Sequence, residues 1–494
     1  MAPDLDRTAV LPAREVTAWD DEADVVVVGL GVAGACTALG AIEADAAADV
    51  LVLEAAGGGG GLSAQSGGIL YLGGGTPVQE ACGFTDTPDD MYDFLVAATG
   101  PGPDEAKLRV FCDESVAFYH WLVDHGVPFK AGFFPEPGIE PPTEDGLVFS
   151  GGEDAWPFDR IVRPAPRGHK PRHRHAAGGF LMQCLLAAVE ATSTRITTDT
   201  HARRLVVDDD GRVIGVLVRR HGHAVAVRAR RGVVLCAGGF VRSDEMVAEH
   251  VPLVARCNLR LGTDFDDGRG IRMAQAAGAR AVHLDAAECA VPITPPRKLV
   301  GGILVNGRGQ RFINEDTYYG RVGQEALFHQ GGEMYLIVDE ELYEVNRAGF
   351  QAAWVCESAD ELEAEMGLPE GSLVATLELY NRHAEHGEDP VFHKAAAFVR
   401  PLTGALGAYD LRTQSAFYAT FTLGGLHTTV DGEVLDLDGS PIAGLYAAGR
   451  TTSGLAAHGY ASGLSLADGA FFGRRAGIAA ATSATAASPA ASPS

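Results

Sequence analysis

The feature that most constrains this chain is a glycine-rich loop set between two apolar runs. Asp24 to Val28 reads DVVVV and Asp49 to Leu53 reads DVLVL; between them lie Gly29, Gly31 and Gly34 in the spacing G-x-G-x-x-G, then an Ala-rich stretch, Val32 to Ala46. Short β-branched runs favour buried strands and the Ala-rich stretch suits a helix, so a βαβ unit with parallel strands is expected. The first glycine permits the tight turn, the second lets the backbone approach a pyrophosphate, and the third lets the helix pack on the strand. Val32 and Ala33 fall at the helix N-terminus, whose N–H groups lack intrahelical partners and whose dipole favours phosphate.

Glu54 closes the second run 20 residues after Gly34. A carboxylate there accepts hydrogen bonds from the ribose hydroxyls of an adenosine and repels a 2′-phosphate, which disfavours NADP and leaves NAD and FAD open. The following segment, Ala55 to Gly68, reads AAGGGGGLSAQSGG. Small and hydroxylic residues of this kind let a backbone lie along a longer dinucleotide, which favours FAD, although a plain flexible loop has the same composition.

With 494 residues the chain is too long for one ordinary core. The run Gly232 to Cys236, ending in AGGF, and the run GLYAAGR, Gly444 to Arg450, share an apolar-then-glycine form and read as two parts of one nucleotide-binding layer. The expected fold class is α/β: a Rossmann-like FAD-binding domain over 20–285 and 425–478, with an inserted α+β substrate domain over 286–424. A helix is expected from Asp104 to His125, mostly irregular loop from Phe133 to Gly168, and disorder in the low-complexity tail 479–494. No run of about 18 apolar residues occurs and the N-terminus lacks the apolar core of a secretory signal, so a cytoplasmic protein without stable membrane insertion is expected. Lys plus Arg number 39 against 65 acids, a net charge of −26 that repels nucleic acid and anionic lipid. Eight cysteines stand singly with no C-x-x-C pair, so no metal site is expected.

Beyond Glu54, the match of Ser63, Ser66, Gly67 and Gly68 to a G-G-x-S/T-x-x-S-G-G segment resembles the fumarate reductase and 3-ketosteroid dehydrogenase superfamily of flavoproteins. The resemblance continues through VVLCAGGF (233–240), DDGRGIRMAQAAGA (266–279), GRGQRFINED (307–316), GLYAAGR and SGLSLADG (462–469). It implies FAD as the cofactor. It implies that Ala237, Gly238 and Gly239 approach it, that Asp267 binds its phosphate or ribityl region, and that Ser465 and Leu466 present backbone N–H groups to the flavin. Ala55, Ala202, Gly449 and Arg450 join the candidate cofactor residues. No histidine lies in the 63–68 segment, where members with covalent flavin carry one, so non-covalent FAD is expected.

The resemblance also bears on the reaction. Five positions after Asn314 the soluble fumarate reductases carry an arginine; here it is Tyr319, and their N-R-x-G-G run is replaced by AAHGYASG (456–463). A dicarboxylate without those cations would be left unpaired, at a cost of several kcal/mol. A tyrosine at that place, with FSGGEDAWPF (149–158) and PAPRGH (164–169), looks most like the Δ4-(5α)-dehydrogenases. The implied substrate is an apolar steroid whose C3 ketone is held by Tyr460 and a backbone N–H near Leu464. Tyr319 and Ser462 would transfer the C4 proton while hydride leaves C5 for flavin N5. A Δ1-dehydrogenase and a flavin reductase acting on another enone or enoate stay open, and no segment identifies the electron acceptor. Against these roles, Tyr319 equally suits packing of the inserted domain, Ser462 suits an N-cap of a helix over 463–478, and His427 alone suits a structural role. The stretch RGHKPRHRH (167–175) reads as a loop bordering the site, and 358–370 as a surface helix.

Overall fold

The computed structural model describes residues 9–136, 140–294, 296–346 and 349–484. The first strand of the βαβ unit, β1 (Asp21–Val28), begins three residues before the expected run; α1 (Val32–Ala44) and β2 (Val50–Leu53) follow. β1 and β2 lie parallel, Val25 opposite Val50 through Val28 opposite Leu53. Both faces of this layer are covered, so its valines read as a continuous apolar run rather than an alternating one. Val25, Val26 and Val27 are fully buried, and each contributes about 1.5–3 kcal/mol of burial.

β3 (Arg195–Thr197) extends the sheet beyond β2, while β4 (Thr200–Val207) and β5 (Val213–Arg220) form a meander with β6 (His223–Leu235) on the other side. His223 to Arg228 of β6 pair antiparallel with β5, while Val227 to Ala229 and, after a register shift, Gly232 to Leu235 run parallel to β1. The last three of these residues also run parallel to Leu445–Ala447, so the two glycine-ended runs seen in sequence, some 200 residues apart, are neighbours in one layer.

A second core gathers around β8 (Ile303–Asn306), β9 (Met334–Asp339), β10 (Ala352–Cys356) and β11 (Leu406–Asp410), an antiparallel sheet in the order β8-β9-β11-β10. Under it the acid of the INED run, Glu315, is fully buried between Arg311 (2.8 Å) and Lys394 (3.0 Å), which makes it an anchor of this core. β7 (Ala287–Ala290) pairs antiparallel with β12 (Ala419–Thr422) and packs on α3 (Tyr319–Phe328), where Gln324 donates to the Ala287 carbonyl over 2.9 Å. β13 (Pro441–Ala447) returns the chain to the first sheet, and α4 (Leu464–Thr482) lies along α1. Glycine makes that approach possible: a Cβ at Gly477 would run into the Thr37 carbonyl of α1.

Two expectations need correction. The disordered tail was placed from 479, yet α4 continues to Thr482 with Ala480 and Ala481 buried. Alanine is the best helix former, and a low-complexity run of it extends a helix that already has a partner. Residues 485–494 lie outside those described. The 133–168 region is also less irregular than expected: Leu147–Val148 and Gly168–His169 join Leu70–Tyr71 in a small antiparallel sheet. The helix expected at 104–125 is α2 (Glu105–Asp124), with Asp104 as its N-cap. No helix among the described residues is long and apolar enough to cross a membrane.

Candidate active site

A cavity of about 1000 Å³ runs from the N-terminus of α1 to the junction of β7, α3 and α4. At the first end Gly29 takes φ +103, a conformation L side chains rarely adopt. Gly31, Val32 and Ala33 face the cavity beside it. Glu54 is nearly buried, with Oε2 accepting from the Leu30 N–H (2.7 Å) and Oε1 from the Ala56 N–H (2.8 Å). Each carboxylate oxygen accepts two hydrogen bonds, so lone pairs remain for ribose hydroxyls. The Ser63 hydroxyl accepts from the Val32 N–H at the start of α1 over 3.2 Å, tying the 55–68 segment to the helix N-terminus.

Ala55, Ser63, Ser66, Gly67 and Gly68 line the next stretch of the cavity, and Ala202, Ala237, Gly238 and Asp267 its opposite wall. Gly449, Arg450, Ser465 and Leu466 complete it. Three expected cofactor residues do not face it. Gly34 packs α1 against the turn, where a Cβ would meet the Gly29 carbonyl. Gly239 turns its N–H to Asp266 (3.1 Å), and the Leu464 N–H closes a turn onto the Ala461 carbonyl (3.1 Å), so it is not free to hold a ketone.

Asp266 lines the cavity as well, although the sequence pointed to its neighbour Asp267. Its Oδ1 accepts from Gly239 N–H and Arg450 Nη2 (2.7 Å), and its Oδ2 from the Thr263 N–H (2.7 Å) and hydroxyl (2.9 Å). It thereby fixes the 237–239 loop against Arg450. Nothing in the DD doublet distinguishes the two; only Asp266 is buried, while Asp267 accepts from the Arg269 N–H at 2.9 Å. Arg450 Nη1 is buried and has no partner. A partly buried guanidinium with a spare donor, bare glycine walls and a helix N-terminus fit the phosphates and ring edges of a dinucleotide.

At the far end Tyr319 opens α3, its ring 4.6 Å from that of Tyr318, and Tyr318, Tyr319, Tyr460 and Ser462 all face the cavity. Burial raises the Tyr319 phenol above its ordinary range and the Glu140 carboxylate adds to this, while a hydrogen bond with Ser462 opposes both. The alternative role for Ser462, a helix N-cap, is not the one it takes. Gly463 occupies that position at φ +99, which leaves the Ser462 hydroxyl to the cavity while its N–H is held by the Ser150 carbonyl (3.0 Å). Tyr460 is pushed up to about 12 by burial, against a hydrogen bond from Ser465. That bond runs from the Ser465 N–H to the Tyr460 hydroxyl (3.1 Å), so this N–H, expected to face the flavin, serves the phenol instead. Ala290, Ala419 and Phe421 supply an apolar wall, with Phe421 edge-on to Tyr460 at 5.3 Å. Glu288, also unforeseen, lines this end.

His427 does not face the cavity. In the 167–175 loop Lys170 is buried and donates to the carbonyls of Pro141, Thr143, His173 and His175 at 2.7–3.1 Å, binding that loop to the 140s segment that carries Glu140.

The FAD binding domain family matches residues 24–466 of the chain. The chain belongs to this family. It is a flavoprotein, and its cofactor is FAD. It is 30% identical to a 3-oxo-5-alpha-steroid 4-dehydrogenase of Comamonas testosteroni, over 87% of this chain and 93% of that one. The solved structure of a 3-ketosteroid-delta4-(5alpha)-dehydrogenase from Rhodococcus jostii RHA1, in complex with 4-androstene-3,17-dione, is 50% identical and superposes with a TM-score of 0.92, covering 96% of this chain and all of that one. A flavocytochrome c3 fumarate reductase in its open conformation shares the fold at 25% identity and a TM-score of 0.67, covering 94% of this chain and 79% of that one.

Proposed function

We propose that this flavoprotein desaturates a 5α-3-ketosteroid between C4 and C5. The observation that carries the reading is the arrangement of Tyr319, Ser462 and Tyr460 around one apolar end of the flavin cavity, with the Tyr460 oxygen already accepting from Ser465. With that acceptor site filled, the phenol's own proton is directed outward, where it donates to the C3 ketone oxygen. Charge drawn onto that oxygen acidifies the C4 hydrogens.

Tyr319 and Ser462 take the C4 proton. Burial keeps the Tyr319 phenol protonated at neutral pH. It therefore accepts the C4 proton as the minor phenolate form, whose charge the Ser462 hydroxyl stabilises by donating a hydrogen bond to it, and the phenol is the product of the transfer. FAD, held by the Gly29–Gly34 turn, Glu54, the 63–68 segment and Arg450, supplies the hydride acceptor for C5. The apolar wall of Ala290, Ala419 and Phe421 suits a steroid ring and gives a dicarboxylate no partner. Glu288, Tyr319 and Phe421 all come from 286–424, which supports reading that stretch as the inserted substrate domain.

The test is anaerobic bleaching of the oxidised flavin band by a 5α-3-ketosteroid, with formation of the Δ4 product. A C1–C2 double bond in the product would reassign the regiochemistry. The reading is abandoned if no saturated 3-ketosteroid bleaches the flavin while fumarate reoxidises the reduced protein.

A further inference from the structure

Glu288 sits on β7 with 1% of its surface exposed, facing the end of the cavity where Tyr319 and Tyr460 meet. The Tyr318 hydroxyl donates to its Oε1 over 2.9 Å, and its Oε2 has no hydrogen-bond partner. Among the described residues, no positively charged group acts on it. Tyr318 and Tyr319 face it from the start of α3, and Tyr460 from the loop before α4. Its own strand brings Cys289, whose sulfur lies 4.0 Å from that of Cys257, and β12 brings Thr420, whose hydroxyl donates to the Glu288 carbonyl over 2.6 Å. Arg321, the cation of α3, turns to the Phe158 ring at 4.9 Å. The other carboxylate at this end is Glu140, which acts on Tyr319.

A bare carboxylate at such a place costs several kcal/mol to bury, and an acid without a counter-ion escapes that cost by keeping its proton. Burial accordingly pushes Glu288 up to about 8. The position matters because a dehydrogenation that draws charge onto the ketone oxygen at Tyr460 is opposed by any second negative charge nearby.

We propose that Glu288 is a positioning residue that acts as an uncharged carboxylic acid, orienting Tyr318 against Tyr319 through Oε1 and keeping its own negative charge away from Tyr460. The inference rests on the ketosteroid reading for its kinetic consequence, but the uncharged state itself does not depend on that reading. In the active form the proton stays on Glu288; ionisation places a charge beside Tyr460 and switches the reaction off.

Two measurements on the FAD-loaded protein decide it. The infrared difference spectrum of wild type against Glu288→Gln at pH 7 should show a protonated-carboxyl C=O band, and a carboxylate band in its place overturns the proposal. In rapid mixing with a 5α-3-ketosteroid, flavin reduction by wild type should fall about tenfold by pH 9, because each unit above a pKa of about 8 removes a factor of ten of the neutral acid. Glu288→Gln keeps the Tyr318 contact without a titrating proton, so it should reduce at the wild-type rate at pH 7 and stay flat to pH 9. A Gln variant that retains the alkaline fall overturns the proposal. Should Gln not fold, the carboxyl region of the wild-type spectrum titrated from pH 6 to 10 decides instead: loss of a C=O band near pH 8 supports it, and no loss overturns it. Should no steroid reduce the wild-type flavin, the ketosteroid reading fails while the infrared result still decides the state of Glu288.

Discussion

The Ser465 N–H donates to the Tyr460 hydroxyl oxygen over 3.1 Å, across the turn that starts α4. N–H groups at a helix start have no intrahelical partner, and here the positive end of the helix is spent on orienting a phenol rather than on a phosphate. Tyr460→Phe keeps the ring against Phe421 and removes only the O–H. Anaerobic flavin reduction by a 5α-3-ketosteroid should slow by about 10²–10³-fold, the loss typical of one oxyanion donor, with FAD content unchanged by absorbance.

Ser462 offers a clean separation of stability from catalysis. Since Gly463, not Ser462, holds the N-cap position, Ser462→Ala should not incur the roughly 1 kcal/mol of a lost cap. The reduction rate should fall by about 10²–10⁴-fold, as for removal of a proton-transfer group. A melting temperature lowered by several degrees with the rate preserved would return Ser462 to a structural role.

Asp266 and Asp267 should behave differently although they are adjacent. Asp266→Ala strands the partly buried Arg450 guanidinium and is expected to cost about 3 kcal/mol and release FAD. Asp267→Ala touches a more exposed pair with Arg269 and should cost under about 1 kcal/mol. Thermal melts with flavin fluorescence as the readout compare the two directly.

The buried His169 sets an acid limit on stability. It bonds Thr76 (2.8 Å) and the Arg167 carbonyl (3.0 Å) as a neutral ring, and burial lowers its pKa from 6.5 to about 4. The unfolded chain therefore binds the proton first as pH falls. The stability this neutral ring contributes is complete above pH 6.5 and is lost between 6.5 and about 4, by about 3 kcal/mol in all. Melting temperature followed over that range should fall less steeply in His169→Gln than in wild type.

Much of the cofactor end was legible because its signals are local. A strand, a turn and a helix are specified by residues within 35 positions of one another, and Glu54 follows from the spacing of the unit. The substrate end was legible only through likeness: Tyr319 and Tyr460 stand 141 positions apart, and no periodicity joins them. Glu288 lies in AVHLDAAECAVPIT, where nothing marks it off from Asp285 or any surface acid.

The sequence by itself determined the βαβ unit, the acid that closes it and the glycines that admit a dinucleotide, because short-range sterics and strand propensity act along the chain. Tertiary structure alone decided which of two adjacent aspartates is buried against Arg450, which residue caps α4, and that Glu288 has phenols and, among the described residues, no cation acting on it. Burial and pairing are properties of the segments brought alongside, and those segments come from as far as 184 residues away along the chain.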